Sequence, residues 1–259
     1  MGVTGRCGVE DIVAVILGWD EAKSGFQFNA LGGHLNYTLN QVVSEAEIIA
    51  ALTELGENEL IEQERGVYRL SEPDRPELEL YEPLEAGFQT NGIWSRLGID
   101  RHQWVFQKTA AGGVRGAGRL SMPDFTLAAI KSWRFDPRRS LEIYSFEVKR
   151  RAGTSVASVY EAVAHGRFAH HPYLVCPRSN LDRSLNSELK DACLKEGVGL
   201  ILFDIVVEPP NRFSLKRIEL IEEAVRRSPD PQMIEEHLSK RLSAANCQRL
   251  ERMARGEAE

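Results

Sequence analysis

Two short stretches of this chain carry residues whose types and spacing can do chemistry: Pro123-Asp124, and Glu147-Val148-Lys149 one apolar stretch later. Residues i and i+2 of a strand project from the same face, so Glu147 and Lys149 are expected to point together. A neighbouring strand can bring Asp124 beside them. Two carboxylates and an ammonium on one face can hold a Mg²⁺ or Mn²⁺ ion through hard oxygen donors and position a water against a phosphodiester.

The elements that must position these groups can be read from periodicity. Residues 120–130 and 141–149 read as the two strands that carry the acids. In the second, Ile143, Ser145, Glu147 and Lys149 fall on one face, and Tyr144, Phe146 and Val148 on the other. Before them come a helix at residues 81–97, a strand at Gln103–Lys108 and a glycine-rich turn at 112–118. That turn lacks the Gly-Lys-Ser/Thr ending of a phosphate-binding loop. After them come a helix at 155–169, a strand at 173–176, a helix at 185–196, a strand at 199–204 and helices at 216–227 and 231–255. Antiparallel strands followed by strand–helix alternation predict an α/β fold, a mixed central sheet flanked by helices on both faces.

With this order of elements, Pro123-Asp124 and Glu147-Val148-Lys149 resemble the PD-(D/E)xK phosphodiesterase superfamily, which includes restriction endonucleases, Holliday-junction resolvases and RecB-like exonucleases. The resemblance covers about residues 78–207. It implies Asp124 and Glu147 as ligands of one or two Mg²⁺ or Mn²⁺ ions, with the Val148 carbonyl as a further ligand. Lys149 is implied to orient the attacking water or offset transition-state charge. Family members often add an acid from the first helix, and Glu85, then Glu82, are the residues placed for it. The helix after the motif often carries a polar residue facing the site, and Glu161 and His165, four apart, fall there. The usual Gln is missing.

Residues 1–72 resemble a winged helix in shape: a helix at Val9–Gly18, a second begun by the capping box Ser44-Glu45-Ala46-Glu47, and a hairpin around Arg65-Gly66. The expected divisions are therefore a small winged-helix-like α+β domain at 1–72, a Pro-rich acidic linker at 73–80, a nuclease-like domain at 81–215 and C-terminal helices at 216–259.

Charge qualifies the partner. The 259-residue chain has a net charge of −6, but residues 1–75 hold 5 Lys/Arg against 13 Asp/Glu, and the remainder 27 against 25. A nucleic acid, DNA before RNA, is the partner expected of the motif region, with Arg115, Arg119, Arg150 and Arg151 as phosphate contacts. The acidic N-terminal region suits a protein partner better than a phosphate backbone, and the last helix could pack on a second copy in a homodimer. The alternative function is a non-enzymatic regulator or assembly module on a nuclease-like fold. The four cysteines are scattered without zinc spacing, no leader pattern is evident and no apolar run spans a bilayer, so a cytoplasmic setting without membrane contact is expected.

Overall fold

A computed structural model of the protein describes residues 8–90, 92–99, 103–110, 122–133, 135–179, 181–208 and 212–257. They divide into two compact units. The first comprises Met1–Pro73 with Ser179–Asp182 and Ile205–Ser214, and the second the rest of the chain.

The first unit contains α1 (Val9–Gly18), β1 (Phe26–Gln27), α2 (Phe28–Leu39), α3 (Glu45–Glu57), β2 (Ile61–Glu64) and β3 (Val67–Leu70). Its three strands form a small antiparallel sheet in the order β1-β3-β2. Ser44 starts α3 as expected: its hydroxyl accepts from the Glu47 amide at 3.3 Å, and the Glu47 carboxylate accepts from the Ser44 amide at 2.8 Å. The β2–β3 turn puts Arg65 at φ 51° and Gly66 at φ 80°. Two successive positive φ values match the twist of a two-residue hairpin. Helix α2 was not expected from the sequence, because Gly32-Gly33 depresses its helical propensity. Tertiary packing overrides that cost: Leu31 and Leu35 are buried with Ile12, Ile16, Ile48, Leu52 and Leu55.

The second unit contains α4 (Glu77–Thr90), α5 (Ile93–Arg96), β4 (Gln103–Lys108), β5 (Phe125–Trp133), β6 (Asp136–Val148), α6 (Val156–Ala164), β7 (His171–Pro177), α7 (Arg183–Glu196), β8 (Gly199–Glu208), β9 (Arg212–Glu222), α8 (Pro231–Arg241) and α9 (Ala244–Arg255), with the tip of β8 and the start of β9 counted in the first unit. The sheet order is β4-β5-β6-β7-β8-β9. β4, β5 and β6 pair antiparallel, while β6, β7 and β8 pair parallel. The protein is thus a mixed α/β fold, a six-stranded mixed sheet flanked by helices, with a small antiparallel sheet near the N-terminus.

Element assignments differ from the sequence reading in several places, and the helix expected at 81–97 is two, α4 and α5. The segment read as a linker becomes helical at Glu77, and Pro83 lies inside α4. Residues 216–222 are the edge strand β9, not helix, so the region after 216 is not helical throughout. The single helix expected at 231–255 is two, separated by Leu242 and Ser243. The Ser243 hydroxyl caps the second by accepting from the Asn246 amide at 3.2 Å.

Helices cover both faces of the sheet. On one face Phe88 from α4 and Trp94 from α5 pack on Phe106, Phe125 and Phe146, with Phe88 ring centroids 5.3–6.1 Å from those of its four aromatic neighbours. On the other, Val159 and Ala162 of α6 pack with Leu174, Cys176 and Leu189, while Leu238, Leu250 and Met253 of α8 and α9 pack on Val105, Ala128, Ile130 and Ile143. At the start of β8, Gly199 is required by close approach: a Cβ there would lie 2.1 Å from the Tyr173 ring. Phe88 is fully buried at the centre of its cluster. Phe88→Ala is therefore expected to cost about 3–5 kcal/mol of unfolding free energy. Urea denaturation of the two proteins measures it, and a loss below ~1 kcal/mol would contradict this packing.

Candidate functional site

The candidate site lies where β5 begins and β6 ends. The register pairs Phe125 with Phe146, and the Asp124 amide donates to the Phe146 carbonyl at 2.9 Å. One further step along this antiparallel ladder sets Asp124 opposite Glu147, with both side chains on one face. The Asp124 carboxylate then crosses to β6: Oδ2 accepts from the Val148 amide at 2.7 Å. Because the N–H and C=O of one strand residue point to the same edge, the Val148 carbonyl faces this edge too.

Glu147 and Lys149 project together, as their spacing predicts. Lys149 Nζ lies 2.6 Å from Glu147 Oε1 and 2.8 Å from Glu161 Oε2. Glu161 comes from α6, and one turn later His165 places Nε2 3.5 Å from Glu147 Oε2. α6 and the turn that follows it thus bring both Glu161 and His165 to the motif. His165 is almost wholly buried, which pushes its pKa down to about 3, so the ring is neutral. Its Nδ1 has no hydrogen-bond partner among the described residues.

Two buried glutamates on one strand show how unusual Glu147 is. Burial works to raise Glu142 as well, but hydrogen bonds from His171 at 3.0 Å and from Arg226 at 3.1 Å overcome it and hold its carboxyl at about 2. Glu142 is a satisfied structural ion pair. Glu147 is pushed the other way, to about 8, by burial first and the charge of Asp124 second. Burial also raises Asp124, to about 6, against the hydrogen bonds from Tyr81 and Val148. Burial lowers Lys149, but Glu147 and Glu161 outweigh it and keep the amine protonated.

The two partners of the Glu147–Lys149 pair thus pull toward different charge states of the acid. An ammonium at 2.6 Å is the more direct observation and argues for a carboxylate at neutral pH. What remains is repulsion between a buried carboxylate and a half-buried one, which a cation would relieve.

The first helix contributes differently from the sequence reading. Glu85 is half-buried and Glu82 exposed, and among the described residues neither carboxylate makes a hydrogen bond or ion pair. Instead Tyr81 donates its hydroxyl to Asp124 Oδ1 at 2.5 Å. Glu77, one turn earlier, is the α4 acid whose charge reaches Asp124. Glu77 lay hidden because the helix was expected to start at residue 81, and Tyr81, at that expected start, because the family pattern points to an acid rather than a phenol. The apolar spacing of Leu80, Tyr81, Leu84 and Phe88 is the signal that places Tyr81 on the buried stripe.

Of the basic residues, Arg115 and Arg119 fall outside the described residues. Arg150 pairs with Asp74 at 3.7 Å, and Arg151 donates from its amide to Asp74 and from Nη1 to the Arg178 carbonyl. These contacts tie both arginines to the protein framework beside the site. Lys108 ends β4 with its ammonium 5.9 Å from the Tyr81 ring centroid.

The donor set at the strand ends is two carboxylates and a backbone carbonyl, hard oxygen ligands that fit Mg²⁺ or Mn²⁺. Among the described residues, no group of three or more His, Cys, Asp or Glu side chains is placed to hold a metal. Any further ligands would have to be carbonyl oxygens, water or substrate, which is usual for Mg²⁺. Among the described residues, no helix is long and apolar enough to cross a membrane.

No protein-family model and no curated protein matches the chain. Among solved structures, that of restriction endonuclease FokI aligns over 78% of this chain and 44% of that chain, with 11% sequence identity and a TM-score of 0.24. This chain therefore spans less than half the length of the structure it matches.

A raised carboxylate pKa fixes the sign of a pH effect. Glu147 costs the fold little below its unfolded value of about 4.5, and the cost grows as pH rises from there and is complete above its raised folded value. In metal-free buffer the urea midpoint should fall between these limits, and Glu147→Gln should flatten the fall. Parallel curves for the two proteins would contradict the assignment.

Proposed function

We propose that this protein is a divalent-metal-dependent nuclease that hydrolyses phosphodiester bonds, with DNA favoured over RNA as its substrate. The observation that carries this reading is the meeting of a buried Glu147 and a half-buried Asp124 at adjoining strand ends, with Lys149 held beside them. Buried acids set side by side are costly to the fold, and functional sites are where such costs concentrate.

Asp124, Glu147 and the Val148 carbonyl would hold Mg²⁺ or Mn²⁺, and Glu77 is the α4 acid whose charge acts on Asp124. When bound, the ion supplies a lowered pKa for a coordinated water and neutralises charge on the phosphate. Lys149 remains protonated and donates to the attacking water or to charge that develops on the phosphoryl oxygens. Glu161 shares the Lys149 ammonium with Glu147. His165, neutral and buried, packs against Glu147 and limits its rotation.

The order of helices and strands in the first unit, α1-β1-α2-α3-β2-β3, is consistent with reading it as a winged helix. The first turn of α3 carries Glu45 and Glu47, which repel a phosphate backbone. We therefore assign this unit to protein recognition rather than to DNA reading. If it alone defines the molecule, the protein is a non-enzymatic assembly module.

Incubation with supercoiled plasmid and Mg²⁺ tests the reading. Wild type is expected to nick it, chelation to stop it, and Asp124→Ala or Lys149→Ala to slow it by about 100-fold or more. Equal nicking by wild type and both variants, or none by any protein on duplex, branched and single-stranded substrates, would reject nuclease activity.

A further inference from the structure

The aromatic layer between α4, α5 and the sheet is built from Phe88, Phe106, Phe125, Phe146 and Trp94, with one phenol, Tyr81, at its edge. Tyr81 is only 6% exposed, and its ring packs edge-on against Phe125 with centroids 5.6 Å apart. A phenylalanine would serve that packing equally well. A buried hydroxyl is costly unless it is bonded. Here it is bonded to one group, Asp124 Oδ1 at 2.5 Å. An ionised carboxylate can only accept, so the phenol is the donor.

The ring itself is fixed from both sides, by Phe125 and by the Lys108 ammonium. The other carboxylate oxygen of Asp124 accepts from the Val148 amide at 2.7 Å. A carboxylate offers about four lone-pair directions, so two donors, one per oxygen, leave about two for another ligand. Both donors stand on rigid elements, α4 and β6. Together they set the rotation of the carboxylate about its Cβ–Cγ bond.

We propose that Tyr81 is a positioning residue of the metal site, whose hydroxyl fixes the Asp124 carboxylate so that its remaining lone pairs are presented to a divalent cation. This rests on the nuclease reading above and adds to it a residue that does not itself touch metal or substrate. Groups that orient metal-binding carboxylates in this way are worth about 10- to 100-fold in metal affinity.

Calorimetric titration of Mn²⁺ into the full chain tests this directly, using wild type, Tyr81→Phe and Asp124→Ala. Tyr81→Phe keeps the ring and the packing. It is expected to retain the wild-type unfolding midpoint in EDTA within a few degrees and to bind Mn²⁺ about 10- to 100-fold more weakly. Plasmid nicking by Tyr81→Phe should then recover as Mn²⁺ is raised toward saturation, a rescue that a purely structural role would not give. Should Tyr81→Phe misfold, Tyr81→Trp, which restores an N–H donor on a ring, is expected to bind Mn²⁺ at least tenfold more weakly than wild type through the altered reach. Wild-type affinity in the folded variant, with binding lost in Asp124→Ala, would overturn the role of Tyr81 and leave the nuclease reading standing. Failure of wild type itself to bind Mn²⁺ would overturn both.

Discussion

The structure turns on one side chain that behaves as part of the backbone ladder. Asp124 stands just before β5, yet its carboxylate takes the place of a strand carbonyl by accepting the Val148 amide, while its own amide donates to Phe146. Its carbonyl in turn accepts from the Thr109 and Ala110 amides beyond the end of β4. Three strand ends are thereby stitched together by a single residue. The alignment of Glu147, Val148 and Lys149 with the first acid follows from this stitching rather than from any direct bond between the acids.

Around that stitch the polar groups are graded by how well they are satisfied. Glu142, five residues earlier on the same strand, is fully bonded to His171 and Arg226 and acts as a structural anchor. Thr109, Thr126 and His237 form a buried chain of hydrogen bonds, each at 3.0 Å, linking β4, β5 and α8. At Asp124 and Glu147, by contrast, like charge meets like charge at the edge of the buried core. The neighbouring networks hold the sheet rigid enough to keep that unfavourable contact in place.

Much of this was legible in the sequence. The alternation Ile143, Ser145, Glu147, Lys149 correctly put acid and amine on one face, because a strand's period of two admits no other outcome. Glu161 and His165 were legible for the same reason at helical spacing. Three prolines in residues 73–83 concealed the start of α4, and with it Glu77. Residues 216–222 read as helix because Ile218, Leu220 and Ile221 satisfy a helical stripe. Their pairing beside β8 is a tertiary fact that local periodicity does not contain. The hydrogen bond from Tyr81 to Asp124 spans 43 positions, beyond any local pattern.

The two acids reside on one antiparallel hairpin, β5–β6, and this separates two kinds of order. Closing a short hairpin loop costs little chain entropy compared with docking a distant helix. Asp124 and Glu147 are therefore neighbours whenever the hairpin exists, whatever the helices do. Tyr81, Glu161 and His165 all arrive on helices and join only when those helices are seated. Loosening α4 or α6 would leave the pair of acids intact but strip away the groups that aim and neutralise it, so local fluctuation in this fold would degrade the quality of the site before it dismantled the site.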